Sequence, residues 1–178
     1  MSRLFTFLSL MLMLFSCNRH LKNVVKAGDC ISGDSAFIPE VITSYDNYKM
    51  VFYKDASLVI SEAGTPEVKS GNKLVFEYLY HKKPAKQKKD AGYNERILFE
   101  ADPLSGTFLL SDDELKAAHA AYGNLCFCPD AGYHQITVGC IKGTETGTGV
   151  WHIEMNIKAY GQERVFTKML SEKFLLTE

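Results

Sequence analysis

The feature that most restricts what this chain can fold into lies in its last third. His134, Ile136, Val138 and Cys140 alternate with Gln135, Thr137 and Gly139. After a glycine- and threonine-rich stretch over 143–149, the pattern returns: Trp151, Ile153, Met155, Ile157 and Ala159 alternate with His152, Glu154, Asn156 and Lys158. A period of two sends successive side chains to opposite faces of a strand, so both segments read as strands with one apolar and one polar face. The stretch between them reads as a turn, and a short turn joins antiparallel neighbours only. The chain is thereby committed to an antiparallel sheet with one buried face.

Upstream segments follow the same logic. Residues 49–54 and 57–61 read as two strands around Asp55-Ala56, and 74–80 as a strong strand with Leu74, Phe76, Tyr78 and Tyr80 on one face. Residues 96–99 and 107–110 read as short strands, 165–169 and 174–176 as the last two. Phe37-Ile38 and Val41-Ile42 flank Pro39, which demotes them to a weak or edge strand. One helix is expected over 112–122. Ser111 caps it, Glu114 completes a capping box, Asp112 and Asp113 suit its positive end, and Gly123 ends it. Leu115, Ala118, His119 and Tyr122 then share an apolar face, which makes His119 a packed core residue. The expected class is mainly β (α+β): an antiparallel β-sandwich, or alternatively a partly closed β-barrel, with one packed α-helix near 112–122. Tyr78, Tyr80, Tyr93, Tyr133 and Trp151 fill its core or line a pocket.

The start of the chain is of another kind. Residues 4–15 are almost wholly apolar, Arg3 precedes them, and the small Ser16 follows. A charged start, a short apolar run and a small residue describe an export signal, and the run is shorter than the roughly 20 residues that span a bilayer. With Cys17 next, Leu14-Phe15-Ser16-Cys17 resembles the lipobox of bacterial lipoproteins. The resemblance covers the first seventeen residues. It implies that residues 1–16 are a cleaved signal peptide, that Cys17 carries the lipid, and that 17–35 are a lipidated N-terminus and tether. Residues 36–178 are then a single β-rich domain. It also implies an exported protein anchored to a bacterial membrane, and Asn18 after the cysteine resembles the pattern of outer-membrane sorting.

Four cysteines remain behind Cys17: Cys30, Cys126, Cys128 and Cys140. An even number in an exported chain points to disulfides. On an extended strand Cys126 and Cys128 would sit near the upper limit of disulfide reach, which favours bridges from these two to Cys30 and Cys140, in either order. Cys126, Cys128, His134 and Cys140 match no zinc-ligand spacing, so no metal and no cofactor are expected. Cys-X-Cys also lacks the Cys-X-X-Cys spacing of thioredoxin-like redox motifs.

Lys82, Lys83, Lys86, Lys88 and Lys89 crowd a segment interrupted by Pro84, a solvated loop that could hold anionic groups. The whole chain has a formal net charge of −1, without the basic excess of a nucleic-acid binder. There is no Gly-X-Ser-X-Gly or His-Glu-X-X-His motif, and 143–149 lacks the Gly-Lys-Ser/Thr ending of a phosphate loop. The functional expectation is a non-catalytic binding or assembly role in the cell envelope, with membrane contact through the N-terminal lipid and an envelope protein as partner. The alternatives are a small-ligand carrier with a cavity in a barrel, and, less favoured, an envelope hydrolase.

Overall fold

A computed structural model describes residue 30 and residues 47–82, 92–104 and 106–177. Cys17 and the tether behind it apart from Cys30, the expected strand around Pro39, and Lys83, Lys86, Lys88 and Lys89 lie outside the described residues. The elements are β1 (Tyr48–Ile60), β2 (Pro66–Ser70), β3 (Lys73–Lys82), β4 (Tyr93–Ala101), β5 (Thr107–Ser111), α1 (Asp113–Ala117), β6 (Ala121–Cys126), β7 (Gly132–Gly147), β8 (Val150–Tyr160) and β9 (Val165–Leu176). The class is the one expected, mainly β with one helix.

All nine strands belong to one sheet, in the order β2-β1-β3-β4-β6-β7-β8-β9, with β5 on β7. β1 also runs parallel beside β9, pairing Val51 with Leu175 and Phe52 with Leu176. Seven strands (β1, β3, β4, β6, β7, β8 and β9) therefore follow one another around a ring. One sheet curving on itself supplies every wall of the core, where a sandwich would use two.

Alternate residues of each strand meet inside. Register sets Phe52 beside Phe76 and Phe76 beside Phe99, and their rings stack at 5.5 and 5.0 Å. Trp151 and Phe174 approach Phe76 edge-on at 5.6 and 6.0 Å. Phe108 of β5 lies on Trp151 at 5.4 Å. Gly143 makes room for it: a Cβ there would stand 2.2 Å from the Phe108 ring. Such aromatic pairs add about 0.5–1.5 kcal/mol each beyond the area they bury. A smaller cluster of Ala56, Leu58, Val75 and Leu98 sits on the other side of the sheet, with Tyr53, Val68 and Tyr133 packed against it.

The structure departs from the sequence reading in four places. Residues 49–54 and 57–61 are one strand, bent at Asp55 (φ +49°), and the last two expected strands are likewise continuous as β9. The alternation through His134, Ile136, Val138 and Cys140 is broken by a bulge between Ile136 and Val138. Gly139 has φ +111°, and a Cβ there would meet the Asn156 carbonyl oxygen at 2.1 Å. Past the bulge Ile141 faces the core, Val138 is exposed, and Cys140 is carried to the outer face. The 143–149 segment is mostly strand, with its turn confined to the two residues between β7 and β8.

The fourth departure is the helix. It spans Asp113–Ala117 and buries Leu115 alone. Ser111 does not cap it; the Glu114 carboxylate reaches back and accepts from the Ser111 amide (3.0 Å) and hydroxyl (3.1 Å). His119 lies outside the helix at φ +50°, half exposed, with Nδ1 against the Glu100 carboxylate, and is no core residue. Tyr122 belongs to β6. The reason is backbone pairing. The Ala118 and Ala120 carbonyls accept from the Glu100 and Ile136 amides at 2.9 and 2.8 Å, which draws this stretch between β4 and β7. A longer helix would leave those edges open, and unpaired buried backbone groups are costly.

Truncating the centre of the aromatic core tests this account. Phe76→Ala should lower stability by about 4 kcal/mol in urea melts, whereas Ile60→Ala, on an exposed strand end, should cost under about 0.5 kcal/mol.

Candidate functional site

One end of the ring gathers the chain's polar and exposed aromatic chemistry. The connections from β3 to β4, β6 to β7 and β8 to β9 all lie there, as the pairs Lys82 with Tyr93, Asn124 with Gly132, and Tyr160 with Val165 require. The β4–β5 connection, with exposed Leu104, lies at the opposite end.

Inside this end the apolar core gives way to a polar layer. The buried Lys168 ammonium meets the Glu95 carboxylate at 2.9 Å. The Tyr93 and Tyr122 hydroxyls both donate to the other Glu95 oxygen, at 2.8 and 3.1 Å. Burial, with the Glu95 charge beside it, pushes the Tyr93 hydroxyl up to about 12, and Tyr122 higher still, so both stay donors. The Lys168 ammonium also lies 4.8 Å from the Tyr78 ring centre. Phe166 stacks on Tyr122 at 4.8 Å and on His134 at 5.2 Å.

Above this layer stands the 126–131 loop. Cys126 is joined to Cys128 and Cys30 to Cys140, not the cross-pairing favoured by strand geometry. β6 ends at Cys126, so the chain bends instead of extending. That brings the two Cα atoms to 5.4 Å, inside the usual disulfide range. Buried polar side chains hold the loop from below. Asn124 Nδ2 donates to the Asp130 carbonyl at 2.9 Å and lies 3.3 Å from Cys128 Sγ. The buried Asp130 carboxylate accepts from the Gln162 and Glu163 amides (2.7 and 3.1 Å) and from Arg164 Nε (3.2 Å), tying this loop to the next. Burial opposes charge on Asp130, but these donors outweigh it and keep the carboxyl below its ordinary value. Gly161 permits the approach, since a Cβ there would stand 2.7 Å from the Asp130 oxygen.

What this scaffold presents is Phe127, 97 % exposed between the two cysteines. Tyr160 (54 %) and Val165 (51 %) are exposed on the neighbouring connection. In the sequence Phe127 is only the X of Cys-X-Cys, since a loop aromatic leaves no periodic signal.

Polar side chains also gather at two other places in the fold. On the outer face, buried Glu77 accepts from Tyr53 (2.7 Å), Lys49 (3.1 Å) and Arg96 (2.7 Å), and Arg96 also donates to the Tyr133 hydroxyl at 3.0 Å. Every member is satisfied, which makes this a structural network. The second is a cleft of about 690 Å³ beside β9, lined by Tyr48, Met50, His152, Ser171, Glu172, Lys173 and Leu175. In it Ser171 Oγ lies 3.1 Å from His152 Nε2. Glu154 approaches that same nitrogen at 3.7 Å, whereas a catalytic triad needs its carboxylate on the other one. Of the lysines named from sequence, Lys82 is exposed at the end of β3. Cys140 lies on the outer wall, bonded to Cys30 and apart from Cys126 and Cys128. Among the described residues no group of three or more His, Cys, Asp or Glu side chains could hold a metal, and no helix is long and apolar enough to cross a membrane.

The outer network carries a pH signature. Burial raises the Glu77 carboxyl, but the Tyr53, Arg96 and Lys49 contacts outweigh it and hold the group below its ordinary 4.5. The unfolded chain therefore takes up this proton first as pH falls. The contribution is complete above about pH 5.5 and is lost as pH drops through the depressed native value. Glu77→Gln should cost about 3 kcal/mol at pH 7, and the gap to the parent should shrink below pH 4, read from urea melts at both values.

Comparison of the chain with protein-family models, with curated proteins and with solved structures returns no match.

Proposed function

We propose that this is a binding protein of the cell envelope, tethered through a lipid on Cys17, that engages a partner with the Phe127 end of the ring. The observation that carries the reading is the near-complete exposure of Phe127 on a loop held by Cys126–Cys128, Asn124 and Asp130. Leaving a large aromatic in water forgoes about 1.5–3 kcal/mol of burial. A rigid aromatic loses little freedom on docking, which is why such residues serve as binding anchors. The polar layer beneath it, Glu95 with Lys168, Tyr93 and Tyr122, fixes the strands that carry the loop. Cys30 is bonded to the β7 wall, away from Phe127, and that wall is where a tether from Cys17 would join the domain.

A second reading, a carrier of a small ligand, is favoured by the cleft beside β9, whose volume of about 690 Å³ falls among known ligand pockets. A carrier would release a bound small molecule when natively purified protein is denatured and analysed by mass spectrometry.

A photo-crosslinking side chain at position 127, in cells that produce the protein, separates the readings. The binding reading expects one discrete adduct from position 127 and none from position 104 at the opposite end. Equal labelling from both positions, or none from 127, would overturn it.

A further inference from the structure

We infer that the Cys126–Cys128 disulfide is a thiol–disulfide exchange site that accepts two electrons from the dithiol of another exported polypeptide. This goes beyond the binding reading and rests on the spacing and access of the two cysteines and on their contacts with Asn124.

The two disulfides of the chain differ in what they constrain. Cys30 and Cys140 are 110 residues apart, Cys126 and Cys128 two. Closing a long loop removes far more freedom from the unfolded chain than closing a short one. The three-halves-power dependence on loop length makes the difference roughly 200-fold in the folding equilibrium constant. The short bridge can therefore open at little cost to the fold, whereas opening the long one removes a larger share of its stability. Access differs too. Cys30 and Cys140 are buried, at 5 % and 6 % exposure, whereas Cys126 and Cys128 are half-buried at the open end beside exposed Phe127. Accessible, weakly constrained disulfides are the exchangeable ones.

The buried Asn124 amide distinguishes the two sulfurs. Its Nδ2 is 3.3 Å from Cys128 Sγ, and its Oδ1 is 3.4 Å from Cys126 Sγ. A donor at Cys128 suits a thiolate, and an acceptor at Cys126 suits a thiol. The reaction follows from that asymmetry. A substrate thiolate attacks Cys126 Sγ, and the Cys126–Cys128 bond breaks. Cys128 leaves as a thiolate that accepts from Asn124 Nδ2. The second substrate thiolate then attacks the substrate sulfur of the mixed disulfide. Cys126 is expelled, takes up a proton and donates to Asn124 Oδ1. The substrate dithiol is oxidised to a disulfide, and the protein disulfide is reduced to a dithiol. Phe127, between the two sulfurs, offers the apolar contact for the incoming chain.

The test equilibrates the full-length protein with glutathione buffers and maps free thiols by alkylation and mass spectrometry. Cys126 and Cys128 should be half-reduced at a [GSH]²/[GSSG] ratio about tenfold or more below that needed for the buried Cys30 and Cys140. With oxidised glutathione as terminal oxidant, the protein should speed oxidation of a synthetic dithiol peptide. The Cys126→Ser/Cys128→Ser double variant should abolish that gain. Asn124→Asp, which keeps the acceptor and loses the donor, should slow the reaction about tenfold while leaving the Cys30–Cys140 midpoint unmoved. The inference is overturned if the two pairs titrate together, if peptide oxidation is no faster than with glutathione alone, or if the double variant retains the rate. Because the peptide assay needs no native partner, its failure is distinguishable from failure of crosslinking at 127.

Discussion

Among the described residues, a nine-stranded sheet accompanied by a single five-residue helix has no second layer against which to bury its apolar face. It must bury that face against itself, and the inward stack of Phe52, Phe76, Phe99, Trp151 and Phe174 lets it do so. Each ring comes from a different strand, and each is set beside its neighbours by register. A one-residue slip in any ladder would turn a ring outward. The β1–β9 seam, with two paired positions, contributes little by itself; the rings behind it hold the circle.

The same constraint explains where the polar chemistry sits. β3 and β4 carry carboxylates on both faces: Glu77 points outward into the Lys49–Tyr53–Arg96 network, and Glu95 points inward to Lys168. Glu77 is buried and Glu95 largely so, and each is matched with a cationic and a hydroxyl donor, the condition on which a buried charge is tolerated. At the Glu95 layer the apolar filling of the ring ends. Beyond it the loops are organised by hydrogen bonds from Asn124 and Asp130.

How far the sequence reveals this depends on the range of the interaction. The β7–β8 hairpin was legible because period-two alternation is local, although the Gly139 bulge, set by the approach of the Asn156 carbonyl, was not. The spacing of Leu115, Ala118, His119 and Tyr122 mimics a helix face. Only the open edges of β4 and β7, which flank this stretch in the sheet, turn 121–126 into a strand. The Cys126–Cys128 bond was discounted on the geometry of an extended strand that in fact ends at Cys126. Phe127 was passed over for a similar reason: its exposure depends on Asn124 and on an Asp130 bond to the next loop, neither of which leaves a periodic signal.

The Cys30–Cys140 bond also decides how the molecule bears load. Tension on the chain ahead of residue 30 enters the sheet through a covalent link to the middle of β7, a strand flanked by β5, β6 and β8. It bypasses β1 and the two-pair seam with β9, the place where the ring would unzip most easily. A pull arriving at residue 30 therefore reaches β7 and its three ladders directly, ahead of the short β1–β9 seam.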